Sequence, residues 1–128
     1  MRRLVLDMQC KLFSDAISQA LVVNDPDFEP MRAETPEETV RLCRSSFAYA
    51  LIMEVTGYNT PWNLEERLAL GKQVKAAVPG CKIVLLVDEK ADESLASQVR
   101  QAKKDGLIDN FIYASVSPTY LAGVIDTL

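Results

Sequence analysis

The stretch AYALIMEV, residues 48–55, decides the fold, because it is an unbroken apolar run that leads into a carboxylate, Glu54. An apolar run without alternation is typical of a strand that is buried on both faces. CKIVLLVDE, residues 81–89, has the same character and carries Asp88 near its end. Strands of this kind occur in parallel sheets that have helices on both faces, so we expect these two acids at one edge of a sheet.

Outward from this strand, short apolar runs alternate with segments of helical periodicity. The other predicted strands are RLVLD (3–7), FEPMRAE (28–34), which carries Pro30, and IDNFIYAS (108–115), and the predicted helices begin near Cys10, Thr35, residues 60–63, Asp92 and Ser117. The first helix has apolar residues at helical spacing, namely Leu12, Phe13, Ala16, Ile17, Ala20 and Leu21. Five such units predict a single α/β domain over residues 1–128: a (βα)5 doubly wound, five-stranded parallel sheet in the flavodoxin-like order 2-1-3-4-5. Proline suits the edge position that this order gives to the second strand.

The composition narrows the function classes. Fourteen basic and 18 acidic residues give a net charge of −4, which argues against direct binding to nucleic acid or to an anionic membrane. No apolar run approaches the ~20 residues of a membrane span. The three cysteines are far apart, which suggests reduced thiols and a cytoplasmic location. The chain has no histidine, so histidine-dependent nucleophiles and metal sites are excluded.

Four segments, in this order and spacing, resemble the receiver domain of bacterial two-component response regulators. They are RLVLDMQCKLF (3–13), YALIMEV (49–55), VPGCKIVLLVDE (78–89) and GLIDNFIYASVSPTYLAGVI (106–125). The resemblance covers nearly the whole chain. It implies a receiver-like domain that acts in signal transduction or transcription control and is not an enzyme.

The resemblance also implies five functional positions: two acids after strand one that hold Mg²⁺, a phosphoacceptor aspartate, a hydroxyl residue and a lysine. Glu54 stands at the phosphoacceptor position, Val87 at the hydroxyl position and Ala114 at the lysine position. The pair of acids falls on Asp7 and Met8 or on Met8 and Gln9, so at most one acid remains.

The replacement of these functional residues weakens phosphoryl transfer. A glutamate moves the carboxylate by about 1 Å, and a misplacement of that size can cost roughly a hundredfold in rate. Each missing donor can cost about 10²–10³ more. We therefore expect an atypical receiver, a pseudo-receiver, that acts through protein–protein contacts without aspartyl phosphorylation.

Three interpretations of Glu54 stay open at this stage. It is a solvated relic, a permanent charge that mimics the phosphorylated acid, or part of a weak divalent-cation site with Asp7 and Asp88. Three converging carboxylates repel one another unless a cation such as Mg²⁺ binds. Apart from this Mg²⁺, we expect no cofactor.

The loop TGYNTPWN, residues 56–63, overhangs the same edge. Its Tyr58 and Trp62 could close over a small ligand, or Trp62 could simply pack onto the next helix. The alternative function is therefore a small-ligand or divalent-metal sensor at the carboxyl edge of the sheet. A flavin enzyme is disfavoured, because DMQCKLF (7–13) follows strand one where a phosphate-binding loop would be needed.

The resemblance also indicates where partners bind. The fourth helix, the fifth strand and the last helix form the family's usual surface for a protein partner or a homodimer, and Phe111 stands where the family carries a signalling aromatic. A covalently linked output domain beyond the last helix is a further expectation. Core packing of Phe111 and a merely solvated fourth helix are the competing interpretations.

Overall fold

A computed structural model of the chain describes residues 1–57, 62–88 and 93–128. In these ranges, strands and helices alternate from the first strand to the last helix, as the sequence predicts. The strands are β1 (Arg2–Asp7), β2 (Phe28–Ala33), β3 (Ala50–Val55), β4 (Lys82–Val87) and β5 (Asn110–Tyr113). The helices are α1 (Lys11–Asn24), α2 (Pro36–Ser46), α3 (Leu64–Ala77), α4 (Glu93–Lys104) and α5 (Pro118–Asp126).

The strands form one parallel sheet in the order β2-β1-β3-β4-β5, so the predicted topology is confirmed. β2, which contains Pro30, lies at an edge. The register pairs Asp7 with Met53, the residue before Glu54. The ends of β1 and β3 therefore meet where the strand order reverses, which is where open α/β sheets place their sites.

The core has two layers, one on each face of the sheet. Alternate residues of β3 face opposite layers: Leu51, Met53 and Val55 pack on the side of α2, α3 and α4, and Ala50 and Ile52 pack on the side of α1 and α5. All five of these side chains are fully buried, which confirms that the run is covered on both faces.

Side-chain caps determine where α2 and α3 start. The Thr35 hydroxyl accepts a hydrogen bond from the Glu38 backbone N–H at 3.1 Å, so the predicted start of α2 is confirmed. The Asn63 side chain accepts from the Glu66 N–H at 2.9 Å and defines the start of α3. This cap places Arg67 at the end of the first turn of α3, under the carboxyl edge of the sheet.

The predicted apolar stripe of α1 is wrong in two places. Leu12 is 80% exposed and Ala16 is also exposed, whereas Ser14, Ile17 and Leu21 are buried. A helix on one face of a sheet buries only a narrow arc, and this arc centres on Ile17.

The described helices include none that is long and apolar enough to cross a bilayer.

Candidate functional site at the carboxyl edge of the sheet

A buried ion pair between Asp7 and Arg67 occupies the end of β1. The Arg67 guanidinium donates from Nη1 to Asp7 Oδ2 at 2.9 Å and from Nη2 to Asp7 Oδ1 at 3.0 Å. Asp7 is 5% exposed and Arg67 is 1% exposed. Such a bidentate pair of arginine and carboxylate is among the strongest charge-assisted hydrogen bonds in proteins.

The same guanidinium also binds backbone at the ends of two strands. Arg67 Nε donates to the Glu54 carbonyl oxygen at 2.8 Å, and Nη2 donates to the Asp7 carbonyl oxygen at 3.1 Å. Together with the carboxylate contacts, these bonds use Nε, Nη1 and Nη2. A guanidinium presents its donors in a rigid fork, so it fixes the spacing of β1 and β3 at this edge.

Thr39 of α2 completes the surroundings of Asp7. Its hydroxyl donates to Asp7 Oδ2 at 2.7 Å, and the residue is fully buried. Both carboxylate oxygens of Asp7 therefore have protein donors, and its charge is balanced by Arg67. A metal ion at this carboxylate would have to compete with these buried donors.

The Glu54 carboxylate contacts the loop that follows β1. Its Oε1 accepts a hydrogen bond from the Gln9 backbone N–H at 2.8 Å, and the residue is partly exposed. The carboxylate thus holds the loop that follows β1, while its own backbone oxygen is held by Arg67. Asp7, Glu54, Arg67 and Thr39 together form a corner at the ends of β1 and β3, and Glu54 is its partly exposed acid.

The other positions that the sequence analysis singled out lie at the ends of β1, β4 and β5. Met8 and Val87 are buried, Asp88 is exposed, and the Ala114 N–H donates to the Val87 carbonyl oxygen at 2.8 Å. Within the described ranges, no group of three or more Cys, Asp or Glu side chains could hold a metal ion. The weak cation site at Asp7, Glu54 and Asp88 therefore stays a prediction without structural support, since Asp7 is already paired.

The loop after β3 is described only in part, because Tyr58 lies outside the described residues. Trp62 is partly buried, and its carbonyl oxygen accepts from the Thr56 N–H at 2.7 Å. The Trp62 indole Nε1 is buried and has no hydrogen-bond partner within the described part of the chain. A cavity of ≈ 290 Å³ opens beside this loop, lined by Thr56, Gly57, Asn63, Leu64, Glu65, Ser94, Leu95 and Gln98.

Phe111 lies in β5 beside the fourth helix. Its ring is partly buried against the α2–α4 layer of the core and meets Tyr113 edge-on, with centroids 6.1 Å apart. The Lys103 ammonium lies 5.9 Å from the Phe111 ring centroid, and Tyr113 is 37% exposed. Phe111 is thus a packed residue next to an exposed aromatic, and its signalling role stays a prediction.

Arg67 is the residue that the sequence analysis missed. Leu64, Arg67, Gly71 and Val74 are all buried on one face of α3, at helical spacing. An arginine on the apolar stripe of a helix is rarely buried without a partner. That stripe, set beside an acid at the end of a buried strand, was the available signal.

Comparisons with known proteins agree with this architecture. Neither the protein-family models nor the curated proteins give a match. Among solved structures, a LuxR-family DNA-binding response regulator from Staphylococcus aureus is 13% identical, with a TM-score of 0.77 over 99% of this chain and 98% of that chain. A CheY-like receiver domain protein from Methanospirillum hungatei JF-1 is 16% identical, with a TM-score of 0.76 over 99% and 92%.

A third structure, the CheY-like protein TadZ from Pseudomonas aeruginosa PAO1, is 22% identical, with a TM-score of 0.72 over 99% of this chain and 98% of that chain. At these identities the likeness concerns the fold alone. The chain has the CheY-like, flavodoxin-like (βα)5 fold that receiver domains share.

Proposed function

We propose that the chain is a receiver-like signalling module that acts through protein–protein contacts and is not switched by phosphorylation at the end of β3. The observation that carries the proposal is the buried pair of Arg67 and Asp7. In this corner the positive charge beside the β1 acid belongs to the chain itself. It is supplied by Arg67, which binds both carboxylate oxygens of Asp7.

Phosphoryl transfer depends on a cation that neutralises the phosphoryl oxygens and on donors that bind them. Here a divalent ion at Asp7 would compete with Arg67, and separating this buried pair of charges is strongly unfavourable. The residues at the ends of β4 and β5, Val87 and Ala114, contribute neither a hydroxyl nor an ammonium group. The corner therefore supports a structural role better than a reactive one.

The surface of α4, β5 and α5 supports the contact function. The outer face of α4 is exposed and polar, and Tyr113 and Tyr120 are 37% and 60% exposed. Tyrosine and arginine are enriched at protein interfaces because they combine large contact area with hydrogen bonding. The partner we propose is a protein, or a second copy of this chain, on this surface.

Intact mass spectrometry tests the central part of the proposal. The protein is incubated with Mg²⁺ and acetyl phosphate, beside a phosphorylatable receiver as the positive control. We expect the control to gain one phosphoryl group and this chain to gain none. A stable phosphoryl adduct on the wild type that is absent from Glu54→Gln would contradict the proposal.

A small-ligand sensor is the second candidate, and the cavity beside Thr56 and Gln98 favours it. Its volume of ≈ 290 Å³ is near the lower end for small-molecule sites. Trp62 lies next to the cavity-lining Asn63, so its fluorescence can report on binding. Saturable changes in that fluorescence with a ligand library, abolished by Gln98→Phe, would favour the sensor over the contact module.

A further inference from the structure

The outer face of α1 carries a stripe of exposed, uncharged residues. Leu12 is 80% exposed and Val23 is 84% exposed, and Ala16 and Gln19 between them are exposed as well. These four residues follow one another at steps of four, three and four, so they lie on one side of the helix, opposite the buried arc around Ile17. This is the spacing of the contact positions in a two-helix coiled coil, and we term the four residues the α1 seam.

A groove beside the α1 seam has room for a side chain from another molecule. It has a volume of ≈ 380 Å³ and lies between the C-terminal half of α1 and the start of α5. It is lined by uncharged residues, namely Ala16, Gln19, Ala20, Val23, Asn24 and Thr119. The projecting Leu12 lies at the opposite end of the same helix, about three turns from Val23. A projection and a groove at opposite ends of one helix fit a second copy of that helix when the two run antiparallel.

The charges of α1 favour the same arrangement. In α2, α3 and α4, acids in the first turn and bases in the last turn complement the helix dipole. α1, which is described throughout, has no acid in its first turn and no base in its last turn, and it begins with the exposed Lys11. In an antiparallel pair, each Lys11 lies beside the negative C-terminal end of the other helix, at Asn24, where a cation is favourable. A parallel pair would bring the two ammonium groups together.

We infer that two copies of this chain form an antiparallel dimer through the α1 seam. A two-fold axis at the level of residues 17 and 18 pairs Leu12 with the partner's Val23, and Ala16 with the partner's Gln19. Each Leu12 then enters the groove beside the partner's Val23, while the small Ala16 lets the two helices approach closely. α1 is not part of the surface of α4, β5 and α5, so the inference goes beyond the proposed function and leaves that surface to another protein.

Sedimentation equilibrium of the wild type and of Leu12→Glu tests the inference. An interface made mainly by one helix from each copy is small, so the dimer is reversible and depends on concentration. Between about 1 µM and about 1 mM protein, we expect the wild type to shift from the mass of one chain towards twice that mass. Leu12→Glu places a carboxylate at each end of the apolar seam and should raise the dissociation constant about tenfold or more. Because Leu12 is exposed, the variant should keep the circular dichroism spectrum of the wild type.

Two further variants serve as control and as a test of direction. Leu107→Glu makes the same substitution at a residue that is 48% exposed between α4 and β5, and it should leave the dissociation constant unchanged. Leu12→Glu combined with Val23→Lys introduces charges roughly 16 Å apart on one helix, too far to pair within a chain. The antiparallel dimer brings each new carboxylate to the partner's new ammonium group. The double variant should therefore dimerise more tightly than either single variant, most clearly at low salt.

Three results would overturn the inference. The first is a wild type that keeps the mass of one chain up to about 1 mM. The second is a dimer that Leu107→Glu weakens and Leu12→Glu does not, because the contact would then lie near α4 and β5. The third is a double variant that dimerises no more tightly than either single variant, because this would exclude the pairing of Leu12 with the partner's Val23.

Discussion

Arg67 and Asp7 are 60 residues apart in the chain and are joined by two hydrogen bonds, at 2.9 and 3.0 Å, between guanidinium and carboxylate. Neither side chain has appreciable contact with solvent. The pair links α3 to β1 at the point where the order of the strands reverses. Open α/β sheets can hold a ligand site at this edge, whereas here the Arg67 guanidinium occupies it beside Asp7.

Removal of Arg67 should destabilise the fold strongly. In Arg67→Met the buried Asp7 carboxylate loses its compensating charge, and breaking a buried pair in this way costs about 3–5 kcal/mol. Urea denaturation of the wild type and the variant measures this difference. Replacing both partners, in Arg67→Met with Asp7→Leu, should recover much of the loss, because no charge is then left buried.

Arg100→Met is the matched control, since Arg100 pairs with Glu93 at 2.7 Å but is 44% exposed in its side chain. An exposed ion pair is screened by solvent and contributes little to stability, so this variant should be nearly neutral. If Arg67→Met were no more harmful than Arg100→Met, the buried pair would not have the role described here.

Thr39 is expected to contribute a smaller amount to the same network. Thr39→Val keeps the shape of the side chain and removes the hydroxyl that donates to Asp7 at 2.7 Å. The loss of a hydrogen bond to a charged group should reduce the free energy of unfolding by about 1.5–3 kcal/mol. Thr119→Val, at an exposed position of α5, should leave it unchanged within about 0.5 kcal/mol. Equal effects of the two substitutions would mean that the hydrogen bond from Thr39 to Asp7 does not stabilise the fold.

Phe47 offers a stabilising substitution. The left-handed conformation costs a non-glycine residue roughly 1–2 kcal/mol, and glycine recovers this at an entropic cost of about 0.5–1 kcal/mol. Because the ring is 81% exposed, little packing is lost. Phe47→Gly should therefore raise the free energy of unfolding by about 0.5–1 kcal/mol, while Phe47→Ala should be close to neutral. A destabilised Phe47→Gly would mean that the ring has a packing role.

Asp109 should make the stability of the fold sensitive to acid. Burial opposes ionisation of this carboxyl, but the Ile83 N–H at 2.8 Å and the Lys75 ammonium at 3.0 Å outweigh it and lower its pKa below 3.8. A lowered folded-state pKa gives stability that is present above 3.8 and is lost as the pH falls through the folded-state value. Asp109→Asn should therefore be less stable than the wild type at neutral pH, and this difference in stability should narrow as the pH falls below 3.8. A gap that does not change with pH would exclude this linkage.

The fold could be predicted from the sequence because its strongest signals are local. The apolar runs that contain Leu51 and Leu85 are buried on both faces, and the helix starts at Thr35 and Ser117 carry their own side-chain caps. The exposed position of Leu12 could not be predicted by the same reasoning, because helical spacing alone does not say how wide the buried arc of α1 is.

The candidate site was predicted only in part. The sequence analysis identified Asp7 and Glu54 as acids at neighbouring strand ends, and the register brings those ends together. The partner of Asp7 was missed, because the pairing with Arg67 spans 60 residues and depends on the packing of α3. The buried position of Arg67 on the helical stripe of Leu64 and Val74 was the only local indication of it.

A titration with Mg²⁺, followed through the backbone amide signals of Gln9 and Thr39 in nitrogen-15 spectra, tests the central claim most directly. Both residues report on the corner, since the Gln9 N–H donates to Glu54 and the Thr39 hydroxyl donates to Asp7. We predict no saturable shift of either signal at millimolar Mg²⁺, because Arg67 already neutralises Asp7. Saturable shifts of both signals in the wild-type protein would contradict the account.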